Sequence, residues 1–214
     1  MNAAPMNAAH EALERLQQGN RRFVSDIADS QAILSQARRS ELVAGQNPFA
    51  IILGCADSRV PAEFVFDQGL GDLFVIRIAG NIVAPSQIGS VEFAAERYGT
   101  PLVVVLGHSG CGAILATIEE MVRPAKHPSR HMHSIVERIR PSIAPLLETE
   151  LRHDPDALVK HAVRANVRAS VNHLRHGSEI LEQLIQNNTL LIVGAEYSLE
   201  TGVVDFFDGM PANG

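Results

Sequence analysis

The chain has 214 residues, of which 46% are hydrophobic, and its formal net charge is −6. This length and composition indicate one globular, enzyme-sized domain over residues 1–214. The acidic balance and the absence of a dense lysine and arginine run exclude an electrostatic surface for nucleic acid or an anionic membrane. No apolar stretch approaches the roughly 20 residues that cross a bilayer.

The first part of the chain has a helical pattern. Met1 to Gln18 is rich in alanine and contains glutamate, unlike the charged and then apolar segments of a signal peptide. We therefore expect a cytoplasmic protein, in a reducing compartment where paired cysteines are more often metal-binding or catalytic than disulfide-bonded. Leu13, Leu16 and Phe23 recur at helical intervals, which predicts an amphipathic helical arm from Ala8 to Phe23.

Short apolar runs of strand length come next. Their continuous Ile, Val and Leu character, without alternation, is typical of strands that are covered on both faces, as in a parallel sheet. The runs are Phe49 to Gly54, Leu73 to Ile78, Leu102 to Gly107 and Leu190 to Ala195, with Val203 to Phe207 as a candidate fifth.

Helical patterns separate these runs, at Ser90 to Tyr98 and from Cys111 through Met121. The region from His127 to Asn187 has no strand-like run and predicts a helical insertion before the last strands. The alternation predicts an α/β fold, a mainly parallel β-sheet flanked by helices, with the N-terminal helical arm and that insertion. Three prolines are predicted to separate the helices of the insertion, namely Pro141, Pro145 and Pro155.

Two polar motifs stand at strand ends. The first, Cys55 to Arg59, directly follows one predicted strand. The second, Gly107 to Gly112, begins at the last residue of another. Ligands bind beyond the carboxyl ends of strands in open α/β sheets, so the two motifs are expected to converge. Cys55, His108 and Cys111 are zinc-ligand types, and three protein ligands with an open fourth position characterise a catalytic zinc site.

Other interpretations of the two cysteines stay open at this point. An unpaired buried cysteine packs as a small hydrophobe, although the glycine-bracketed turn around His108 favours a metal site. Cys55 and Cys111 could instead form a redox pair, but such a pair does not need the His-x-x-Cys context. A third interpretation is a closed structural or sensing zinc site with Asp57 as its fourth ligand.

Asp57 and Arg59 are suited to support a zinc site. Two thiolates and a neutral imidazole cancel the charge of Zn²⁺, so its bound water is harder to ionise than in a site with three imidazoles. Asp57 can help by accepting a hydrogen bond from that water, and Arg59 can hold the carboxylate in a bidentate pair. Released from Arg59, Asp57 could occupy the fourth zinc position. The sequence is compatible with Asp57 either paired with Arg59 or bound to zinc.

In order and spacing, these motifs resemble the β-class carbonic anhydrases. The resemblance rests on Cys55 to Val60, on Gly71 to Val75 with Arg77 and Gly80-Asn81, and on Gly107 to Ala113. Its strong part covers about Gln46 to Leu115. A weaker match runs from Glu196 to Gly202.

The resemblance implies reversible hydration of carbon dioxide to bicarbonate and a proton. It implies one Zn²⁺ per chain, bound by Cys55, His108 and Cys111, with Asp57 and Arg59 as the catalytic pair. It also implies self-association into a dimer or tetramer, with active sites at the dimer interface. Three residues match family positions at the carbon dioxide pocket: Gln46, Phe74 and Phe93.

Two departures from the family pattern are visible. Ile78 follows Arg77 where the family commonly has asparagine. One branch of the family binds inhibitory bicarbonate with an arginine, a tyrosine and a tryptophan. Arg77 and Tyr197 match the first two, but Ile52 stands at the tryptophan position. We therefore predict that the inhibitory site is absent or weak.

Overall fold

The fold is described by a computed structural model of residues 4–28, 36–124 and 129–211. The strands are β1 (Ala50–Gly54), β2 (Leu73–Arg77), β3 (Leu102–His108), β4 (Leu191–Tyr197) and β5 (Val204–Asp208). The α-helices are α1 (Ala4–Val24), α2 (Gln36–Glu41), α3 (Ala62–Val65), α4 (Pro85–Tyr98), α5 (Gly112–Val122), α6 (Arg130–Leu147), α7 (Pro155–His176) and α8 (Glu179–Gln186). Short 3₁₀ turns lie at Leu42–Ala44, Ala79–Asn81 and Glu150–His153.

The strands form one sheet in the order β2-β1-β3-β4-β5. The first four run parallel, and β5 pairs antiparallel with β4. Every residue of the central strands β1 and β3 is buried, which explains their unbroken apolar sequences. The predicted mainly parallel sheet and the fifth strand are therefore confirmed.

Successive strand residues point to opposite faces of the sheet, and each face has its own core. Ile52 and Val104 pack with Leu13 and Leu16 of α1 on one face. On the other face, the neighbouring residues of β1 and β3 pack against α4, α7 and α8. A third apolar cluster joins α5, α6 and α7 beside the ends of β1 and β3. The predicted N-terminal helical arm is thus a structural layer of the sheet.

Residues 127–128 of the predicted helical insertion lie outside the described residues. Over the rest of its length the helical prediction is confirmed. Pro155 begins α7, as predicted. The predicted breaks at Pro141 and Pro145 are wrong, because α6 continues through both. Its buried residues Val136, Ile139 and Ile143 lie on both sides of Pro141, and this packing offsets the backbone hydrogen bond lost there. None of the described helices combines the length and apolarity needed to span a bilayer.

Candidate metal centre

The sheet topology brings the two sequence motifs to one edge. Strands β1 and β3 are parallel neighbours, with Gly54 in register with Leu106. Cys55 directly follows β1, and His108 is the last residue of β3. Cys111 is the N-cap residue of α5, at the end of a tight turn in which Gly110 has a positive φ of 62°. The register therefore places all three side chains beyond the same strand ends.

The ligand atoms of Cys55, His108 and Cys111 all lie within 4.8 Å of one another, and the three residues are buried. The two sulfur atoms are 3.9 Å apart. A disulfide needs about 2.05 Å, so these are free thiols. Two sulfurs on a tetrahedral zinc at about 2.3 Å from the metal stand about 3.8 Å apart. The spacing therefore fits zinc.

His108 presents a free ring nitrogen to this cluster. Its Nδ1 lies 3.0 Å from the carbonyl oxygen of Ser109, which fixes the proton on Nδ1. Its Nε2 is buried and has no hydrogen-bond partner among the described groups. The turn is held by the Ser109 N–H, which donates to Tyr197, and by the Ser109 hydroxyl, which accepts from the Leu199 N–H. The buried, unpartnered nitrogen beside two thiols is therefore suited to bind a metal ion.

The two thiols lie within hydrogen-bonding distance of each other. A hydrogen bond from Cys111 lowers the pKa of the Cys55 thiol to about 4, against the opposing effect of burial. The Gly80 N–H also donates to Cys55 Sγ, at 3.3 Å. The pKa of Cys111 is raised by that same pairing with Cys55 and by burial. A bound dication would remove the remaining proton, because thiols coordinate metals as thiolates.

Arg59 binds the Asp57 carboxylate beside the cluster of Cys55, His108 and Cys111. Its Oδ1 accepts hydrogen bonds from the Arg59 backbone N–H at 3.0 Å and from Nε at 2.9 Å. Its Oδ2 accepts from Nη2 at 2.7 Å and lies 3.8 Å from Nε2 of His108. The Arg59 side chain holds the pKa of Asp57 well below its usual range. Asp57 is thus an ionised acceptor at the edge of the metal cluster.

Arg77 ties the first motif in place, a role that sequence analysis missed. It ends β2 in register with Gly54, next to the Cys55 motif. Its Nε donates to the carbonyl of Cys55 at 3.1 Å, and its Nη2 donates to the carbonyl of Asp57. The signal in the sequence was an arginine at the carboxyl end of a predicted strand, where it could meet the neighbouring motif.

Gln46, Phe74 and Phe93, which match the family's carbon dioxide pocket, lie away from the cysteine and histidine cluster of the same chain. Gln46 donates to the hydroxyl of Tyr98 at 3.0 Å. The rings of Phe74 and Phe93 lie 6.2 Å apart, and each also contacts the Tyr98 ring. Phe74 is in register with Ile51, four residues before Cys55, or about 13 Å along the strand. A single chain therefore does not bring Gln46, Phe74 and Phe93 to the metal cluster. Sequence analysis also missed Tyr98, which joins the three.

Residues matched to the inhibitory bicarbonate pattern are occupied or buried. Nε and Nη2 of Arg77 donate to the Cys55 motif. Ile52 is fully buried, and Tyr197 packs against Phe23 in the same core with 6% exposure. These positions offer no further observation on bicarbonate, and the absence of the inhibitory site stays a prediction.

Comparisons with known proteins agree with this geometry. Residues 50–204 match the family described as carbonic anhydrase. Carbonic anhydrase 2 of Mycobacterium tuberculosis is 39% identical over 191 residues, which cover 89% of each chain. The carbonic anhydrase of Mycolicibacterium smegmatis is 39% identical over 196 residues, 91% of each chain.

The fold is also shared with solved structures. A tetrameric β-carbonic anhydrase of Sordaria macrospora superposes with a TM-score of 0.73 at 22% identity, covering 94% of this chain and 97% of that one. The family match spans the Cys55 motif and the His108 to Cys111 turn. By its sequence, its fold and its cysteine and histidine cluster, the chain belongs to the β-class of the carbonic anhydrase family.

Proposed function

We propose that this carbonic anhydrase holds one zinc ion per chain through Cys55, His108 and Cys111 and uses it to hydrate carbon dioxide reversibly to bicarbonate and a proton. The observation that carries the proposal is the buried Nε2 of His108, unpartnered among the described groups and close to two free thiols. When bound there, zinc supplies an acidified water as the nucleophile.

In this proposal, Asp57 orients the attacking water. Its carboxylate stays ionised because of Arg59, so it accepts a hydrogen bond and does not take up the released proton. Arg59 keeps the carboxylate beside the metal cluster through the three hydrogen bonds described above. We propose that this paired arrangement is the active one, and that Asp57 as a fourth metal ligand is a closed state.

Gln46, Phe74 and Phe93 are proposed to bind carbon dioxide from a second copy of the chain. Their separation from Cys55 along the sheet supports this, because one chain alone leaves them away from the nucleophile. Phe93 is 51% exposed, so its ring has apolar area available for contact with a second copy. We therefore propose a dimer or tetramer in which each site combines two copies.

Three further proposals complete the functional assignment. The whole chain, residues 1–214, is proposed to act as one domain, supported by the packing of α1 onto the same sheet as the last strands. A cytoplasmic location is proposed on the two free thiols, since reducing compartments keep cysteines unpaired. We also propose that the protein has no nucleic-acid partner, because a net charge of −6 repels the phosphate backbone.

The test is stopped-flow hydration of carbon dioxide by protein of measured zinc content, next to an Asp57→Asn variant. The proposal expects one zinc per chain, turnover that rises with pH, and a large loss in the variant with zinc retained. Zinc without turnover at any pH would instead support the structural or sensing site. Turnover of a disulfide substrate by the metal-free protein would support the redox pair.

A further inference from the structure

Helix α7 carries two buried polar side chains toward the metal centre. Asn166 and Ser170 are only 2% and 5% exposed, and their spacing of four residues puts them on one helix face. Asn166 Nδ2 donates to the carbonyl of Gly80 at 2.8 Å. Ser170 Oγ donates to the carbonyl of Asn81 at 3.0 Å. Both acceptors belong to the Ala79–Asn81 turn, which follows β2.

This turn has an unfavourable backbone. Gly80 and Asn81 have consecutive positive φ angles of 69° and 43°. Glycine adopts this region readily, whereas asparagine does so at some cost. The Asn81 side chain does not stabilise the turn through its amide nitrogen, which is buried without a partner among the described groups. Without α7, two buried carbonyls would lose these hydrogen-bond donors, so Asn166 and Ser170 hold the turn in shape.

The turn in return contacts a proposed metal ligand. The N–H of Gly80 points at Cys55 Sγ, 3.3 Å away. A hydrogen bond to a thiolate withdraws electron density from the sulfur and fixes its position, and such contacts tune metal sites. Close packing also restrains the glycine, since a Cβ there would lie 2.7 Å from Cδ1 of Ile139. The direction of the N–H is therefore set by α7 and α6.

We infer that Asn166 is a positioning residue for the metal centre and that Ser170 assists it. Through the Gly80 peptide, Asn166 keeps an N–H donor on Cys55 and so limits how strongly this thiolate donates to the metal. The inference rests on the proposed function, in that Cys55 is taken as a metal ligand. It assigns a role to a helix outside both sequence motifs.

The test uses cobalt, because Co²⁺ takes the same ligands as Zn²⁺ and its thiolate-to-metal charge-transfer absorption reports on the sulfur. Losing the N–H donor raises the energy of the sulfur electrons and moves the band to longer wavelength. We expect that shift in Asn166→Ala, and a smaller one in Ser170→Ala. Zinc affinity, measured by competition with a chelator, should fall roughly tenfold in Asn166→Ala, because the loss of a fixed sulfur position outweighs the stronger donation by the thiolate.

Two further variants separate positioning from general loosening of the fold. Val171→Ala removes a fully buried side chain of α7 that packs near Gly194 of β4 and, being apolar, donates no hydrogen bond to the Ala79–Asn81 turn. It should lower stability and leave the band in place. Ser170→Thr keeps the hydroxyl and should restore the wild-type band. If Asn166→Ala does not fold, the comparison of Ser170→Ala with Ser170→Thr carries the test.

The outcomes distinguish this inference from the proposed function. A wild-type protein without a thiolate-to-cobalt band would overturn the metal site and, with it, the positioning role. A wild-type band that neither alanine variant moves would overturn the positioning role alone. The positioning role is likewise overturned if Val171→Ala shifts the band as much as Asn166→Ala does.

Discussion

Oδ2 of Asp57 lies 3.8 Å from Nε2 of His108 and accepts a hydrogen bond from Nη2 of Arg59 at 2.7 Å. One carboxylate oxygen thus faces the metal cluster on one side and a guanidinium on the other. The guanidinium binds both oxygens in a fork, which fixes the plane of the carboxylate. Arg59 therefore restrains how far the Asp57 carboxylate can move towards Cys55, His108 and Cys111, the proposed metal ligands.

The first prediction concerns the fork itself. Arg59→Lys keeps the positive charge but cannot bind both carboxylate oxygens in one plane. We expect carbon dioxide hydration near neutral pH to fall by roughly 10- to 100-fold, the usual cost of losing a partner outside the ligand shell. Stopped-flow assays measure this, with the exposed Arg123→Lys as a matched control. Wild-type turnover in Arg59→Lys at every pH would refute the role.

The second prediction is the acid dependence of stability. The folded-state pKa of Asp57 is lowered, chiefly by the Arg59 side chain. Its ionised form therefore stabilises the fold above its unfolded pKa of roughly 3.9, and the contribution is lost as pH falls toward the folded value. Urea unfolding of metal-free protein should show a small deficit for Asp57→Asn at neutral pH, which shrinks below about pH 4. A deficit that grows on acidification contradicts this.

Two glycines give a pair of opposite expectations. Gly80→Ala forces a side chain into positive φ and places its Cβ 2.7 Å from Cδ1 of Ile139, which should lower the free energy of unfolding by about 1–3 kcal/mol. Gly89 lies inside α4 with open space around it, so Gly89→Ala should raise stability by about 0.5–1 kcal/mol. Denaturant unfolding measures both. Equal effects would show that the backbone at Gly80 is not special.

Sequence reasoning brought Cys55, His108 and Cys111 together because they lie at or just beyond the carboxyl ends of two adjacent buried strands. Contacts that depend on a distant helix carry no such signal. Nothing near Asn166 in the sequence indicates that it faces Gly80, and an asparagine in a charged helical region is typical of a surface position. The prolines of α6 misled for the same reason, since the packing of Ile139 against the core is a tertiary effect.

A fourth prediction tests by subunit mixing whether each active site is shared between two copies of the chain. An Asp57→Asn chain keeps Phe93, and a Phe93→Ala chain keeps Asp57. If each site takes these residues from different copies, a mixed dimer contains one complete site. Random pairing of equal amounts makes about a quarter of all sites complete. Hydration by the mixture should then exceed the mean of the two pure variants. Activity equal to that mean would place the residues in one chain's site or outside it.

Bicarbonate inhibition gives a further kinetic prediction. Ile52 is fully buried at the position where one branch of the family has a tryptophan, and an aliphatic side chain offers bicarbonate no hydrogen-bond donor. We expect bicarbonate to inhibit hydration without cooperativity, as a product competing at the metal site. Initial rates over a bicarbonate series decide this. A steep, cooperative inhibition curve would show that the second site exists despite Ile52.

The placement of Cys55 and His108 on the neighbouring strands β1 and β3 also affects how the chain folds. The two residues come together only when β1 and β3 pair, although β2 and α4 lie between these strands in the sequence. We therefore predict that the metal pocket is completed late in folding, because it depends on this non-local strand pairing. Metal binding should then slow unfolding far more than it speeds folding, because it stabilises contacts formed after the transition state. The bound ion would thus raise the barrier to unfolding of the completed sheet.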